Sequence, residues 1–223
     1  MSLSLGVRSS EDILLEEKFK TLTQKISMLL ACEGVHRKPY LDGLPHFSKL
    51  TVEKKKIAVD HVQFYHDLCV EQVSDGYKIK DSLSFTWRAL SKLGLAPKAD
   101  LFQHLTEEHI FEIYSDENVQ LFRNFNFFEF CSYTLEELHS LEWWSLFERE
   151  PHVTRQLFDY ASRIFSGELT GNFKPNVENH VLRELQSTDR LVMEHRVDWM
   201  GPLLKARRPR ALLIMSNARL LNN

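Results

Sequence analysis

The chain has 223 residues, of which 43% are hydrophobic and 26% are charged, and its formal net charge is −3. This composition is ordinary for a globular protein and excludes the overall basic bias that many nucleic-acid-binding proteins show. Three cysteines, Cys32, Cys69 and Cys131, lie far apart without a CxxC pair. They predict reduced thiols in a cytosolic protein, not a disulfide framework or a zinc site. No apolar run approaches the ~20 residues that a membrane-spanning helix needs.

The first predicted helix begins at Ser10, is followed by acidic residues at its positive end, and ends at Gly34. Apolar residues recur along it at spacings of four and three, as in a heptad seam: Leu15, Phe19, Leu22, Ile26 and Leu29. Two interpretations fit this seam, a coiled-coil edge that forms a homodimer and the buried face of a helix in a bundle. Its length does not choose between them, because a convincing coiled coil needs about 3–4 heptads.

Three more amphipathic helices are predicted, and they cover Thr51–Val73, Ser82–Leu93 and Lys98–Leu105. The third helix has its own stop signals, because Gly94 provides a C-terminal cap and a proline follows. Residues 1–105 therefore predict a helical N-terminal region that carries the candidate homodimer interface.

The pattern changes near Thr106, where short aromatic and β-branched runs separated by a tight polar link predict a β-hairpin. Short helical segments follow, one of them with a capping box made by Thr134 and Glu137. A longer helix then ends at Gly167. The predicted strands of this part are 109–114, 119–124, 190–199 and 210–216, and its predicted helices are 126–131, 134–140 and 152–165. Residues 173–188 fit a strand or a helix.

Three stretches of this part of the chain have distinctive sequences: YTLEEL at Tyr133–Leu138, WWSLFERE at Trp143–Glu150, and a long predicted helix that ends in Gly167-Glu168. Together with the hairpin and the closing strands, they resemble the PAS domain family, in which an apolar helix leads to GY, S-x-E-E-L and W-x-L-x-H-P-E-D stretches. Ser132 departs from the pattern, because the family usually has glycine there.

The resemblance implies an α+β fold in which residues 106–223 form a PAS-like five-stranded antiparallel sheet with helices on one face. It implies a non-enzymatic sensory or regulatory protein that uses this domain for small-ligand sensing, for protein–protein interaction, or for both, through an output partner that the sequence does not identify. Two alternatives stay open: a structural dimerisation module with a filled core, and a small-molecule enzyme that uses the α+β cleft.

Aromatic residues crowd the part of the chain between Phe122 and Phe165. Most of them must enter a core, at ~1.5–3 kcal/mol for each side chain that is fully buried. A pocket left between sheet and helices would suit a small apolar or aromatic ligand. The candidate ligand-binding residues are Phe122, Phe127, Phe130, Trp144, Leu157 and His195. His195 alternates with apolar neighbours, which fits either a hydrogen-bonded interior residue or a ligand contact.

Cofactor and catalytic motifs are missing from the sequence. Flavin-binding PAS members carry cysteine in a polar motif, whereas Cys131 lies on an apolar helix and predicts a structural thiol. Haem-binding members place histidine on the long helix, and His139 and His152 are the nearest matches without metal-ligand spacing. There is no phosphate loop, GxSxG or HExxH motif. We predict no cofactor, no metal and no catalytic residue.

Two charged stretches are predicted to be solvated. The acidic pair Glu136 and Glu137 belongs to the motif around Tyr133, and the basic stretch Lys205–Arg210 fits a hairpin tip. An anionic partner is the alternative for the basic stretch, and nucleic acid is not expected as a partner.

Overall fold

The structure of the protein is a computed structural model that describes residues 9–221. These residues fall into two compact units that alternate along the chain. The first unit contains the described residues up to Cys69 together with Tyr133–Glu142, and the second contains Val70–Ser132 together with the chain from Trp143 onward. In the part of the chain that is described, no helix combines the length and the apolar character needed to cross a membrane.

Within residues 9–221, seven α-helices and six strands follow one another along the chain. The helices are α1 (Ser10–Cys32), α2 (Val52–Ser74), α3 (Ser82–Leu93), α4 (Leu101–His104), α5 (Leu135–Ser140), α6 (Trp143–Leu146) and α7 (Pro151–Phe165). The strands are β1 (Ile110–Ser115), β2 (Gln120–Arg123), β3 (Phe147–Glu148), β4 (His180–Glu184), β5 (Val192–Lys205) and β6 (Arg208–Leu220). Short 3-10 helices cover Phe47–Lys49 and Phe125–Glu129.

The first unit is built on α1, whose N-terminus is capped by Ser9, one residue before the predicted cap. Its side chain accepts a hydrogen bond from the Asp12 amide at 3.1 Å. The apolar seam faces the interior of this unit, where Phe19 stacks on Phe47 with ring centroids 4.1 Å apart. Leu22 and Ile26 are buried as well, while Leu15 and Leu29 are half-buried. The seam is therefore the buried face of a helix within one chain.

Helix α5 also belongs to the first unit, and it corrects the prediction that its acidic pair is solvated. Thr134 and Glu137 form the predicted capping box. Glu136 is fully buried and accepts hydrogen bonds from the backbone amides of His46 and Phe47 at 2.8 and 2.6 Å. Both carboxylates are buried because backbone donors of the protein replace water around them.

The second unit contains an antiparallel sheet with the strand order β2-β1-β6-β5-β4-β3, which confirms the α+β class. The sheet has six strands, not the predicted five. The additional strand, Phe147–Glu148, has only two residues and pairs with β4 at the edge. Strand β4 also settles the ambiguous stretch 173–188, of which His180–Glu184 is a strand.

The closing hairpin is longer than the sequence predicted. Strands β5 and β6 stay paired through Gly201 and Pro202, where the sequence indicated a break, with Pro202 opposite Leu212. The turn lies at Ala206 and Arg207, which adopt left-handed φ angles of 51° and 65°. The basic stretch around this turn is mostly exposed, as predicted for a hairpin tip.

Both faces of the sheet carry a helix, whereas helices on one face were expected. Leu157 of α7 packs in an apolar cluster with Val197 and Leu212 of the long hairpin. On the other face, Phe85 of α3 contacts Phe122 of β2, with ring centroids 5.7 Å apart. Helix α3 precedes the predicted domain boundary at residue 105, but it lies in the second unit.

Candidate ligand-binding cleft

A cleft lies between the sheet and α7 inside the second unit. Its larger part has a volume of about 380 Å³, and a narrow part of about 50 Å³ leads toward the apolar cluster under α7. The larger volume falls in the range of about 300–1,000 Å³ that is typical of small-molecule sites. Both parts are lined by Glu112, Tyr114, Trp143, Arg149, Thr154, Phe158 and His195.

The floor of the cleft is a hydrogen-bonded polar cluster on the first hairpin. The register of β1 and β2 places Glu112 opposite Arg123 and Tyr114 opposite Gln120. The Glu112 carboxylate accepts hydrogen bonds from Arg123 Nε and Nη2 at 2.6 and 2.5 Å, from the Tyr114 hydroxyl at 3.1 Å and from Gln120 Nε2 at 3.1 Å. The Glu112 and Arg123 side chains are only 9% and 11% exposed, so this is a buried ion pair, and all four contacts fall on the Oε1 atom of Glu112.

These residues reach the cleft because side chains alternate along a strand. Ile110, Glu112 and Tyr114 of β1 line the larger part of the cleft. The intervening Phe111 points the other way, where it contacts Phe122 with ring centroids 6.5 Å apart. The hairpin therefore presents its charged residues to the cleft and its phenylalanines to α3.

Arg149 reaches the same cleft from the segment that precedes α7. Its side chain is half-buried along its length, and its Nε atom is buried without a hydrogen-bond partner among the described residues. Burial lowers the pKa of Arg149 from its ordinary value, Tyr114 and Glu112 oppose this shift, and Arg123 adds to it. A guanidinium stays protonated at physiological pH even so. Arg149 therefore brings a positive charge that no carboxylate of the described residues pairs at ion-pair distance.

Two histidines of the sheet lie side by side, and one of them, His195, lines the cleft. His180 and His195 are cross-strand neighbours on β4 and β5, and their ring nitrogens are 3.2 Å apart. Burial lowers the pKa of His195 well below its ordinary value, and the nearby charges of Arg149, His180 and Arg123 act in the same direction. The pKa of His180 is lowered too, mainly by burial. Both imidazoles are therefore neutral near pH 7, and the charged groups that line the cleft are Glu112, Arg123, Arg149 and the exposed Glu148.

Aromatic side chains form the walls. The Trp143 indole is fixed by a hydrogen bond from its Nε1 to the Asn118 carbonyl at 2.8 Å. Trp144 is 57% exposed and lines the larger part of the cleft. The Arg123 guanidinium lies 3.9 Å from the centroid of the Phe127 ring, as in a cation–π contact. The cleft thus combines apolar and aromatic walls with a floor that holds an ion pair, and Arg149 adds a guanidinium beside it.

The structure brings together most of the predicted site residues. Phe127, Trp144 and His195 line the larger part of the cleft, and Leu157 and His195 line the narrow part. Phe122 is buried on the opposite face of the sheet, since its position on β2 points it toward α3. Phe130 is half-buried and lines neither part.

The charged floor of the cleft was not predicted from the sequence. The available signal was a charged residue at a predicted inward position of an apolar strand: Glu112 within IFEIY and Arg123 within QLFR. Charged side chains enter a core only when they are paired or functional, so each of these positions predicts an oppositely charged partner or a functional role. Arg149 could not be recognised in this way, because it lies between β3 and α7, where no strand or helix periodicity indicates whether a side chain points inward.

The residues considered as cofactor ligands lie elsewhere. In the first unit, the Nδ1 atoms of His139 and His61 are 3.3 Å apart. His152 lies near Glu150 and Glu178, and this exposed trio is the one group of three or more potential metal ligands among the described residues. Cys131 is a buried free thiol, in line with a structural role.

No protein-family model matches the chain, and comparison with curated proteins yields no significant match.

Proposed function

We propose that the protein is a non-enzymatic sensory or regulatory protein whose second unit binds a small ligand in the cleft between the sheet and α7. The observation that carries this proposal is the preformed volume of about 380 Å³, walled by aromatic side chains and floored by an engaged polar cluster. Ligand sites combine these features, because apolar walls supply affinity and a few fixed polar groups orient the ligand.

The PAS resemblance is part of the proposal, and the order of elements supports it. A hairpin, short helices, one long helix and a run of antiparallel strands follow each other as the resemblance implies. The departure at Ser132 has a local reason, since its amide and hydroxyl both donate to the Glu184 carboxylate at 2.6 Å. The two-residue strand Phe147–Glu148 adds a sixth strand at the edge and leaves the five longer strands as the body of the sheet.

The alternative function is a structural module with a filled core, which differs from a ligand-binding domain in having no open space between sheet and helix. In such a module the aromatic residues would occupy the space between sheet and helix. Here Trp143 is held at the wall by its hydrogen bond, and Trp144 is mostly exposed to solvent. The space between them and the polar floor is open to a ligand.

A homodimer, a cytoplasmic location and an output partner complete the proposal. Dimerisation through the seam of α1 would require Phe19, Leu22 and Ile26 to leave the core in which they are buried. Multi-angle light scattering tests self-association directly.

Ligand-observed NMR with a library of small apolar and aromatic fragments tests the cleft. Thr154→Phe places a ring in the cleft, and Gln156→Phe, on the exposed side of the same helix, is the matched control. We expect fragments to bind the original protein and Gln156→Phe, and to lose binding to Thr154→Phe while circular dichroism shows an intact fold. The proposal fails if no fragment binds, or if binding is indifferent to Thr154→Phe.

A further inference from the structure

We propose that the ligand of this cleft is a small monocarboxylate with an aromatic body, and that Arg149 binds its carboxylate. This inference rests on the proposed function of the cleft and specifies the chemical class of the ligand.

The charges of the cleft lead to an anion. Glu112 engages both Arg123 Nε and Nη2, so the charge of Arg123 is compensated inside the protein. His195 and its neighbour His180 are neutral and add no positive charge. Arg149 lines both parts of the cleft, and no carboxylate of the described residues pairs with it at ion-pair distance. Glu148 lines the larger part as well, but it is exposed to solvent. A guanidinium in the lining without a carboxylate partner fits a negative charge on the ligand.

The geometry of a guanidinium favours a carboxylate among the anions. Its planar fork of donors matches the two oxygens of a carboxylate in a bidentate pair, which adds orientation as well as energy. A buried cation without a partner costs free energy, whereas the same cation with a bidentate partner is satisfied. Arg149 therefore presents to the cleft a guanidinium without a carboxylate partner among the described residues, and a carboxylate ligand would supply that partner.

The walls determine the rest of the ligand. Trp143, Phe158 and Thr154 line both parts of the cleft, and Phe147, Trp144 and Leu182 extend the wall of the larger part. Aromatic side chains favour the offset-stacked or edge-to-face packing of another ring. An aromatic ring attached to a carboxylate can therefore contact this wall while its charge lies at Arg149.

Isothermal titration calorimetry with three probes that share a benzyl group tests the inference: phenylacetate, its neutral amide phenylacetamide, and the cation phenethylamine. We expect phenylacetate to bind at least about tenfold more tightly than phenylacetamide, since a hydrogen bond to a charged group contributes more than a neutral one. Phenethylamine should not bind measurably. Arg149→Gln should remove the preference for the acid over the amide, whereas Arg155→Gln, at an exposed arginine of α7, should retain it.

The outcomes separate this inference from the proposed function. If acid and amide bind equally and Thr154→Phe abolishes both, the carboxylate inference is wrong and the cleft remains a ligand site. If phenylacetate binding survives Arg149→Gln, Arg149 is not the anchor and the inference is wrong. If no probe binds, the inference is wrong, and the fragment screen decides separately on the cleft. Should Arg149→Gln fail to fold, the comparison of acid and amide on the original protein still decides on the carboxylate. Arg149→Lys, which keeps the charge without the planar fork, then decides on the anchor: unchanged phenylacetate affinity would show that Arg149 does not hold the carboxylate in a bidentate pair.

Discussion

Replacing Glu112 by glutamine perturbs the ion pair at the floor of the cleft with almost no change in side-chain volume. The carboxylate accepts from Arg123, Tyr114 and Gln120, and the Glu112 and Arg123 side chains are only 9% and 11% exposed. Glutamine can replace one acceptor, but it removes the negative charge and adds donors that face the Arg123 guanidinium. Arg123 is then left as a buried, unpaired cation on β2.

The expected cost follows from that isolated charge. Breaking a buried ion pair by removing one partner costs about 3–5 kcal/mol of unfolding free energy, which is a large part of the ~5–15 kcal/mol of a typical domain. Glu112 raises the pKa of Arg123 above its ordinary value although burial acts against this, in line with a strong mutual attraction. Removing both charges in Glu112→Gln with Arg123→Met should recover part of the loss, with a coupling energy of about 1–3 kcal/mol.

Urea unfolding followed by circular dichroism near neutral pH measures these values. Glu168→Gln is the matched control, because it breaks the exposed ion pair with Arg163 and should leave stability nearly unchanged. A loss below about 1 kcal/mol for Glu112→Gln, or no recovery in the double variant, would show that water reaches the pair and that the floor of the cleft is not buried.

Two further changes test the surroundings of the cleft. Because His195 is held neutral in the folded protein while its unfolded form binds a proton near pH 6.5, stability should fall as pH decreases below that value. His195→Gln should reduce the slope of unfolding free energy against pH by up to about 1.4 kcal/mol per pH unit between about pH 5 and pH 7. Urea unfolding at several pH values measures this slope, and an unchanged slope would show that His195 is not held neutral in the folded protein. Gly201→Ala should cost about 1–3 kcal/mol, since the new methyl group would overlap the Asn172 side chain and lie 3.2 Å from its Cα. Gly171→Ala, with no heavy atom within 4 Å of the added methyl group, is its control, and equal unfolding free energies for the two variants would contradict this packing.

Much of the fold could be predicted because it depends on local signals. Caps, turns and periodicity are encoded within a few residues, and they locate α1, α3, the first hairpin and α7 close to their observed positions. The length of the closing hairpin could not be predicted, since Gly201 and Pro202 look like a break until β6 is there to pair with them. The strand Phe147–Glu148 is set by its pairing with β4 and has no local signature.

The candidate site could be predicted in part for the same reason. Four of the six predicted residues line the cleft: Phe127, Trp144, Leu157 and His195. They could be predicted because apolar residues near a long helix, and inward positions on a strand, face the space between helix and sheet. Phe122 was misassigned because strand periodicity does not say which face is covered by which helix. The pairing of Glu112 with Arg123 depends on the register of the hairpin, and the position of Arg149 depends on the tertiary fold alone.

A crystal structure of the protein grown with phenylacetate would show directly whether the cleft binds an aromatic carboxylate. We expect the ligand in the cleft under α7, with its carboxylate in a bidentate pair with Arg149 and its ring against Trp143 and Phe158. Phenylacetate bound elsewhere, or a cleft closed by Trp144 with Arg149 paired to a protein carboxylate, would contradict it.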